Sequence, residues 1–270
     1  MTQKGRAWSS TLCRWIQCFN KKGGSNLRFK NSVELRIWGR YALFSEPITR
    51  VGGEKCSYPV PTYEALKGIL ESCYWKPTFI WYPDSVRIMN AIETESKGIR
   101  PVRYNDGKND LSYYTYLVNV EYRLRAHFEW NEHRPDLAGD RDENKHFFIA
   151  RRMIERGGRR DIYLGTRECQ GYVEPCGFDE GKSAYQESPD MPLGLMLHGF
   201  TYPDEGGDGV LKMRLWRPVM RGGTIDFCRP EECPVVEPIT HRSRKTFTTG
   251  RNFSPVVDEL EKEVGRDGLD

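Results

Sequence analysis

Apolar positions along this chain fall into two periods. Val33, Leu35 and Ile37 alternate with polar residues up to Trp38, the period-2 signature of a half-buried strand, which Gly39 is expected to end. Residues 44–61 carry Gly52-Gly53 and three prolines and read as a loop. Thr62 then stands where a helix cap is needed, with Glu64 in the first turn. Ala65, Leu66, Ile69, Leu70 and Cys73 recur at the helical period until Pro77 stops the run. Two apolar segments, 79–82 and 86–92, are split by Pro83-Asp84, and residues 96–114 predict a long Gly-, Asn- and Asp-rich loop. From Val118 to Phe128 the alternation is at its clearest. A loop over 131–142 leads to a second helix over 143–156, with Phe147, Ala150 and Ile154 on one face and Gly157-Gly158 at its end. Short strand-like pieces follow at 161–164, 170–173, 193–200, 210–216 and 224–227, and residues 255–264 predict a short exposed helix.

The order strand, helix, strand, strand, helix, strand is the split βαβ, or ferredoxin-like, pattern. The expected class is α+β. Residues 32–175 would form a ferredoxin-like domain of the RNA-recognition type, and 176–240 a small β-rich C-terminal domain. Residues 1–31 would be a basic flexible tail, and 241–270 a flexible tail with a short acidic helix. That fold hosts many unrelated functions and sets none by itself.

Charge sharpens this division. The chain has 41 Lys+Arg against 38 Asp+Glu, a formal net charge of +3. The excess is terminal: residues 1–32 hold seven bases and no acid, and 254–270 hold six acids and two bases, leaving a neutral middle. Global charge therefore argues for no partner, and local clusters must. No apolar run approaches the roughly 18 residues of a membrane-spanning helix, so no membrane is expected. Of eight cysteines, six form C-x4-C and C-x6-C pairs without any C-x2-C, a poor match to zinc ribbons. No metal and no cofactor are expected, and reduced thiols in a cytoplasm are the default. Phosphate-binding, dinucleotide, zincin and nucleophile-elbow motifs are absent from the sequence.

Four constellations could carry chemistry. Lys145-His146 opens the second helix, pairing a fixed positive charge with a group that titrates near neutrality; a solvated Lys beside an ordinary His is the plainer reading. Tyr74-Trp75-Lys76-Pro77 ends the first helix, where an aromatic could orient a reacting group, stack on a base or simply close the core. The stretch 151–160 holds five arginines around Gly157-Gly158, and Arg forks bind phosphate bidentately, although arginines also suit any helix C-terminus. Arg167 and Lys182 could extend it. Asp136, Asp140, Asp142 and Glu143 could hold Mg²⁺ as a nuclease would, but Arg134 and Arg141 interleave with them and favour ion pairs and capping.

Longer strings settle a resemblance. Tyr41-Ala-Leu-Phe44, Ser57-Tyr-Pro-Val-Pro-Thr62, Tyr74-Trp-Lys-Pro77, His133-Arg-Pro-Asp-Leu-Ala138, Lys145-His146, Gly157-Gly-Arg-Arg-Asp161 and Arg167-Glu-Cys-Gln-Gly-Tyr-Val173 occur in order. Together they resemble the CRISPR-associated Cas-five family of subtype I-C, a RAMP group, over about residues 32–240. The resemblance implies an endoribonuclease that cuts precursor CRISPR RNA within each repeat by 2′-OH attack without metal. It would then stay on the 5′ handle of the mature crRNA as a subunit of a prokaryotic, cytoplasmic interference complex. Its partners there would be the backbone and large subunits, with target DNA reached through the complex. It implies Tyr74, Lys145 and His146 as catalytic residues. Lys76, Arg152, Arg156, Arg159, Arg160 and Arg167 are expected to hold RNA. The alternatives are a non-catalytic RNA-capping subunit of the same complex and a metal-dependent DNA nuclease using the 136–143 acids.

Overall fold

In the computed structural model the first strand runs straight through Gly39. The structure describes residues 31–47, 49, 53–102, 107–241 and 246–257, all within the unit Asn31–Asp270. The expected basic tail, apart from Asn31, and the acidic helix beyond Val257 lie outside them. Strand β1 (Ser32–Ala42) buries Val33, Leu35 and Ile37 on one face, as the alternation requires. A Cβ at Gly39 would lie 2.7 Å from Leu164 Cδ1 and 2.9 Å from the Gln170 carbonyl oxygen. Gly39 thus lets a neighbouring segment approach closely and does not end the strand.

Strand β2 (Lys55–Cys56) is a two-residue element inside the expected 44–61 loop. Helix α1 (Tyr63–Cys73) starts as the sequence predicts, the Thr62 hydroxyl accepting the Ala65 N–H at 3.2 Å. The two apolar segments after it are one strand, β3 (Phe79–Ile88), with a register shift between Pro83 and Ser85. Proline has no N–H for the ladder, and a bulge absorbs that loss. Both ends of the expected 96–114 loop are paired: β4 (Glu93–Ile99) runs antiparallel to the first part of β5 (Ser112–Trp130). Helix α2 (Glu143–Glu155) is capped by Asp142, whose carboxylate accepts the Lys145 N–H. Its buried face is His146, Ile149, Ala150, Met153 and Ile154; Phe147 is only half-buried. Gly157 and Gly158 follow at φ 85° and 108°, a left-handed exit that side chains disfavour.

The later strands are β6 (Ile162–Tyr163), β7 (Gln170–Pro175), β8 (Met191–Pro192), β9 (Met196–Thr201), β10 (Val210–Trp216), β11 (Val219–Met220), β12 (Thr224–Asp226) and β13 (Val235–His241). The large sheet has the order β12-β3-β5-β1-β7-β6, with β2 and β4 also paired to β5. β9, β10 and β13 form a three-stranded sheet, and β8 pairs with β11. β12, drawn from the segment read as a second domain, extends the large sheet beside β3. Leu35, Ile37, Leu124 and Phe128 of the sheet share one core with Leu66, Leu70, Ile149, Ala150 and Met153 of the helices. Each fully buried side chain of this kind contributes roughly 1.5–3 kcal/mol. That core leaves the end of α1 and the start of α2 side by side. Among the described residues no helix is long and apolar enough to cross a membrane.

Candidate active site and RNA interface

Tyr74 caps α1 at its C-terminal end and is held at three points. Its N–H donates to the Leu70 carbonyl at 2.9 Å, its own carbonyl accepts Trp81 Nε1–H at 2.7 Å, and its ring packs against Phe79. The hydroxyl meets His146 Nδ1 at 2.9 Å, joining residues 72 positions apart in sequence. On the other side of the imidazole, Nε2 lies 2.7 Å from the Asp140 backbone carbonyl. A carbonyl only accepts, so Nε2 carries the proton and Nδ1 is the acceptor for the Tyr74 O–H.

The surroundings tune that imidazole. Phe79, Phe128 and Trp130 ring it at centroid distances of 5.2, 6.3 and 5.6 Å, and His146 is 0% exposed. Burial lowers its pKa below the ordinary histidine value; Asp140 opposes the shift and Lys76 adds to it. At neutral pH the ring is therefore neutral, with a lone pair aimed at a tyrosine hydroxyl.

Asp140 anchors this arrangement. Its Oδ2 accepts the Thr78 hydroxyl at 2.8 Å and lies 3.7 Å from His146 Nε2, and its Oδ1 accepts the Val256 N–H. Asp136 is paired with Arg134, and Asp142 caps α2 and meets Lys145 Nζ at 3.3 Å. The acids from 136 to 142 are thus each engaged by a different protein partner.

Lys145 projects from the first turn of α2 with its side chain 40% exposed, next to the buried pair on the same helix. Lys76 is buried, its ammonium donating to the Ser254 carbonyl. Arg156, Arg159, Arg160 and Arg167 are exposed, while Arg152 is half-buried. The Arg160 N–H donates to the Ser72 carbonyl, which places the arginine loop against the end of α1, two residues before Tyr74. Arg167 lies over the Tyr163 ring at 5.8 Å. Sequence reasoning missed Thr78 as a site residue and weighed Asp140 as a metal ligand or loop ion-pair acid, never as a partner of His146; neither role stands out without knowledge of spatial neighbours.

Among the described residues one group has ligand atoms close enough for a metal: His198, Cys228 and Cys233, within 4.8 Å of one another. Both nitrogens of its histidine are already engaged. His198 Nε2 donates to the Cys228 carbonyl at 3.0 Å, and the buried Arg214 guanidinium approaches Nδ1 at 3.4 Å. A dication would share that space with a buried cation.

A family model described as CRISPR-associated protein (Cas5) matches residues 32–228. The chain belongs to this CRISPR-associated Cas5 family. The Cas5 match spans every residue of the site described so far except Ser254 and Val256. The chain is 28% identical over 188 residues to a CRISPR pre-crRNA endoribonuclease Cas5d of Thermus thermophilus, covering 65% of this chain and 76% of that one. A solved structure of a CRISPR-associated protein is similar at 38% identity with a TM-score of 0.66, covering 77% of this chain and 97% of the other. A functionally uncharacterized protein, SMU1763c, from Streptococcus mutans is similar at 40% identity and TM-score 0.65, covering 78% and 100%.

Proposed function

We propose that this Cas5 protein is an endoribonuclease that cuts precursor CRISPR RNA within its repeat and stays on the 5′ handle in a type I-C interference complex. The observation that carries the reading is the Tyr74 hydroxyl 2.9 Å from the acceptor nitrogen of a neutral, desolvated His146. The sheet order β3-β5-β1-β7, with α1 between β1 and β3 and α2 between β5 and β7, supports a ferredoxin-like core beneath it.

RNA carries its own nucleophile, so cleavage needs alignment and proton transfer more than a metal. The ribose 2′-oxygen attacks the adjacent phosphorus and gives its proton to the Tyr74 oxygen as the Tyr74 hydroxyl passes its own to His146 Nδ1. The bond from phosphorus to the 5′-oxygen breaks, and that oxygen takes a proton from water as it leaves. Lys145 offsets charge growing on the phosphate oxygens. The products are a 2′,3′-cyclic phosphate and a 5′-hydroxyl. The exposed arginines at 156, 159, 160 and 167 hold the repeat through its phosphates, with the stem read mostly by shape.

The test is cleavage of repeat RNA by wild type and His146→Ala, with and without EDTA. Loss of general acid–base catalysis should slow cutting by about 10²–10⁴-fold while binding persists, and EDTA should change nothing. A repeat with a single 2′-deoxy at the cut site should stay whole. The burial of both Tyr74 and His146 favours one other reading, a non-catalytic subunit that only caps the RNA. In that case wild type and variant would bind alike and neither would cut.

A further inference from the structure

The C-terminal segment 246–257 lies against the candidate site. We propose that it is a substrate mimic, occupying the seat of the RNA strand beside the cleaved bond, from which RNA must displace it. The proposal rests on the endoribonuclease reading and adds a binding subsite made of Trp75, Lys76, Arg134 and Asp140.

Four contacts carry it, each of a kind a ribonucleotide makes. A peptide carbonyl, that of Ser254, accepts from the Lys76 ammonium, where a phosphate oxygen would make a charge-assisted bond roughly twice as strong. Phe253 lies beneath the same ammonium, its ring centroid at 5.6 Å. Phe247 lies under the Arg134 guanidinium at 4.8 Å, with Trp75 tilted beside it at 6.1 Å and 53°; a guanidinium over an aromatic ring is one way a splayed base is held. The Val256 N–H donates to Asp140 Oδ1, an acceptor suited to a ribose hydroxyl that DNA lacks.

Placement supports the same conclusion. Trp75 and Lys76 follow Tyr74 directly, and Asp140 also holds His146 through its carbonyl, so a strand seated here passes the reacting pair. The covering segment begins beyond residue 228, where the Cas5 family match ends. Lys76 is buried with its ammonium against Ser254 and Phe253 of this segment, a cation that an open RNA site would leave accessible. A segment that competes with substrate lowers apparent affinity by the fraction of time the seat is open.

Amide hydrogen exchange on the full chain tests displacement directly, using repeat RNA blocked by the single 2′-deoxy. Binding should accelerate exchange at the Val256 amide, because RNA releases it from Asp140. In parallel, Phe247→Ala with Phe253→Ala in the full chain should lower KM for repeat RNA about tenfold and leave kcat unchanged. Slower or unchanged Val256 exchange on RNA binding, or a KM that stays level or rises, would overturn the proposal and make the segment a structural cap. If blocked RNA speeds Val256 exchange but no chain cuts the unblocked repeat, the seat stands and the endoribonuclease reading falls.

Discussion

The two buried histidines 146 and 198 differ from the other described histidine with a resolved shift, His127. His146 and His198 are held neutral, His198 down to about 3, by burial and then by the Arg214 guanidinium packed against it; the Cys228 carbonyl opposes the shift. His127 lies between Asp84 and Glu129 and is raised, first by its hydrogen bond to Asp84. An unfolded histidine takes a proton near pH 6.5, so a folded one that refuses it contributes stability that is full above 6.5 and lost as pH falls. For His198 the loss should approach about 1.4 kcal/mol per pH unit below 6.5. Urea unfolding between pH 7.5 and 5 should therefore show a slope that His198→Asn flattens. An unchanged slope would mean that the imidazole titrates freely.

At the scale of elements, two helix ends build the site. α1 ends at Tyr74 because Pro77 follows and Trp81 takes the Tyr74 carbonyl, while α2 starts at Asp142 because its carboxylate satisfies the Lys145 N–H. That carboxylate is lowered, chiefly by the backbone bond to Lys145, and it also draws the Lys145 ammonium back along the helix. Asp142→Ala should cost about 1 kcal/mol in urea unfolding, and Asp142→Asn should restore most of it, since Asn caps as well. A full loss in the Asn variant would assign the stability to the exposed ion pair, which such pairs seldom supply.

For the whole molecule the charge ledger makes a prediction of its own. The seven bases before Val33 lie outside the described residues, and without them the chain is net −4. A chain beginning at Asn31 should bind repeat RNA with an unchanged salt slope. Reversing Arg159 and Arg160 to Glu in the full chain should flatten log K against log salt by about 1.5. The opposite result, with the truncation flattening the slope, would move the phosphate contacts to the basic arm.

Apart from the resemblance, which pointed to Tyr74, Lys145 and His146, the local periods determined a good deal: the α1 cap and stop, the central alternation of β5 and the helix at 143–155. Each depends on spacing within a few residues, where side-chain direction follows from the backbone repeat. Gly39, the Pro83-Asp84 break and the 96–114 loop were misread for a shared reason. A glycine, a proline or a polar stretch signals a turn only until a partner strand supplies the hydrogen bonds or the close approach that keeps it extended. His146 shows the same limit at the site. Its neighbour Lys145 could be read as a surface residue, but which nitrogen accepts, that the ring is neutral, and that Asp140, Thr78 and the 246–257 segment surround it are decided by contacts across long sequence separations. Tertiary structure alone makes such contacts, because desolvation and hydrogen bonding act between neighbours in space.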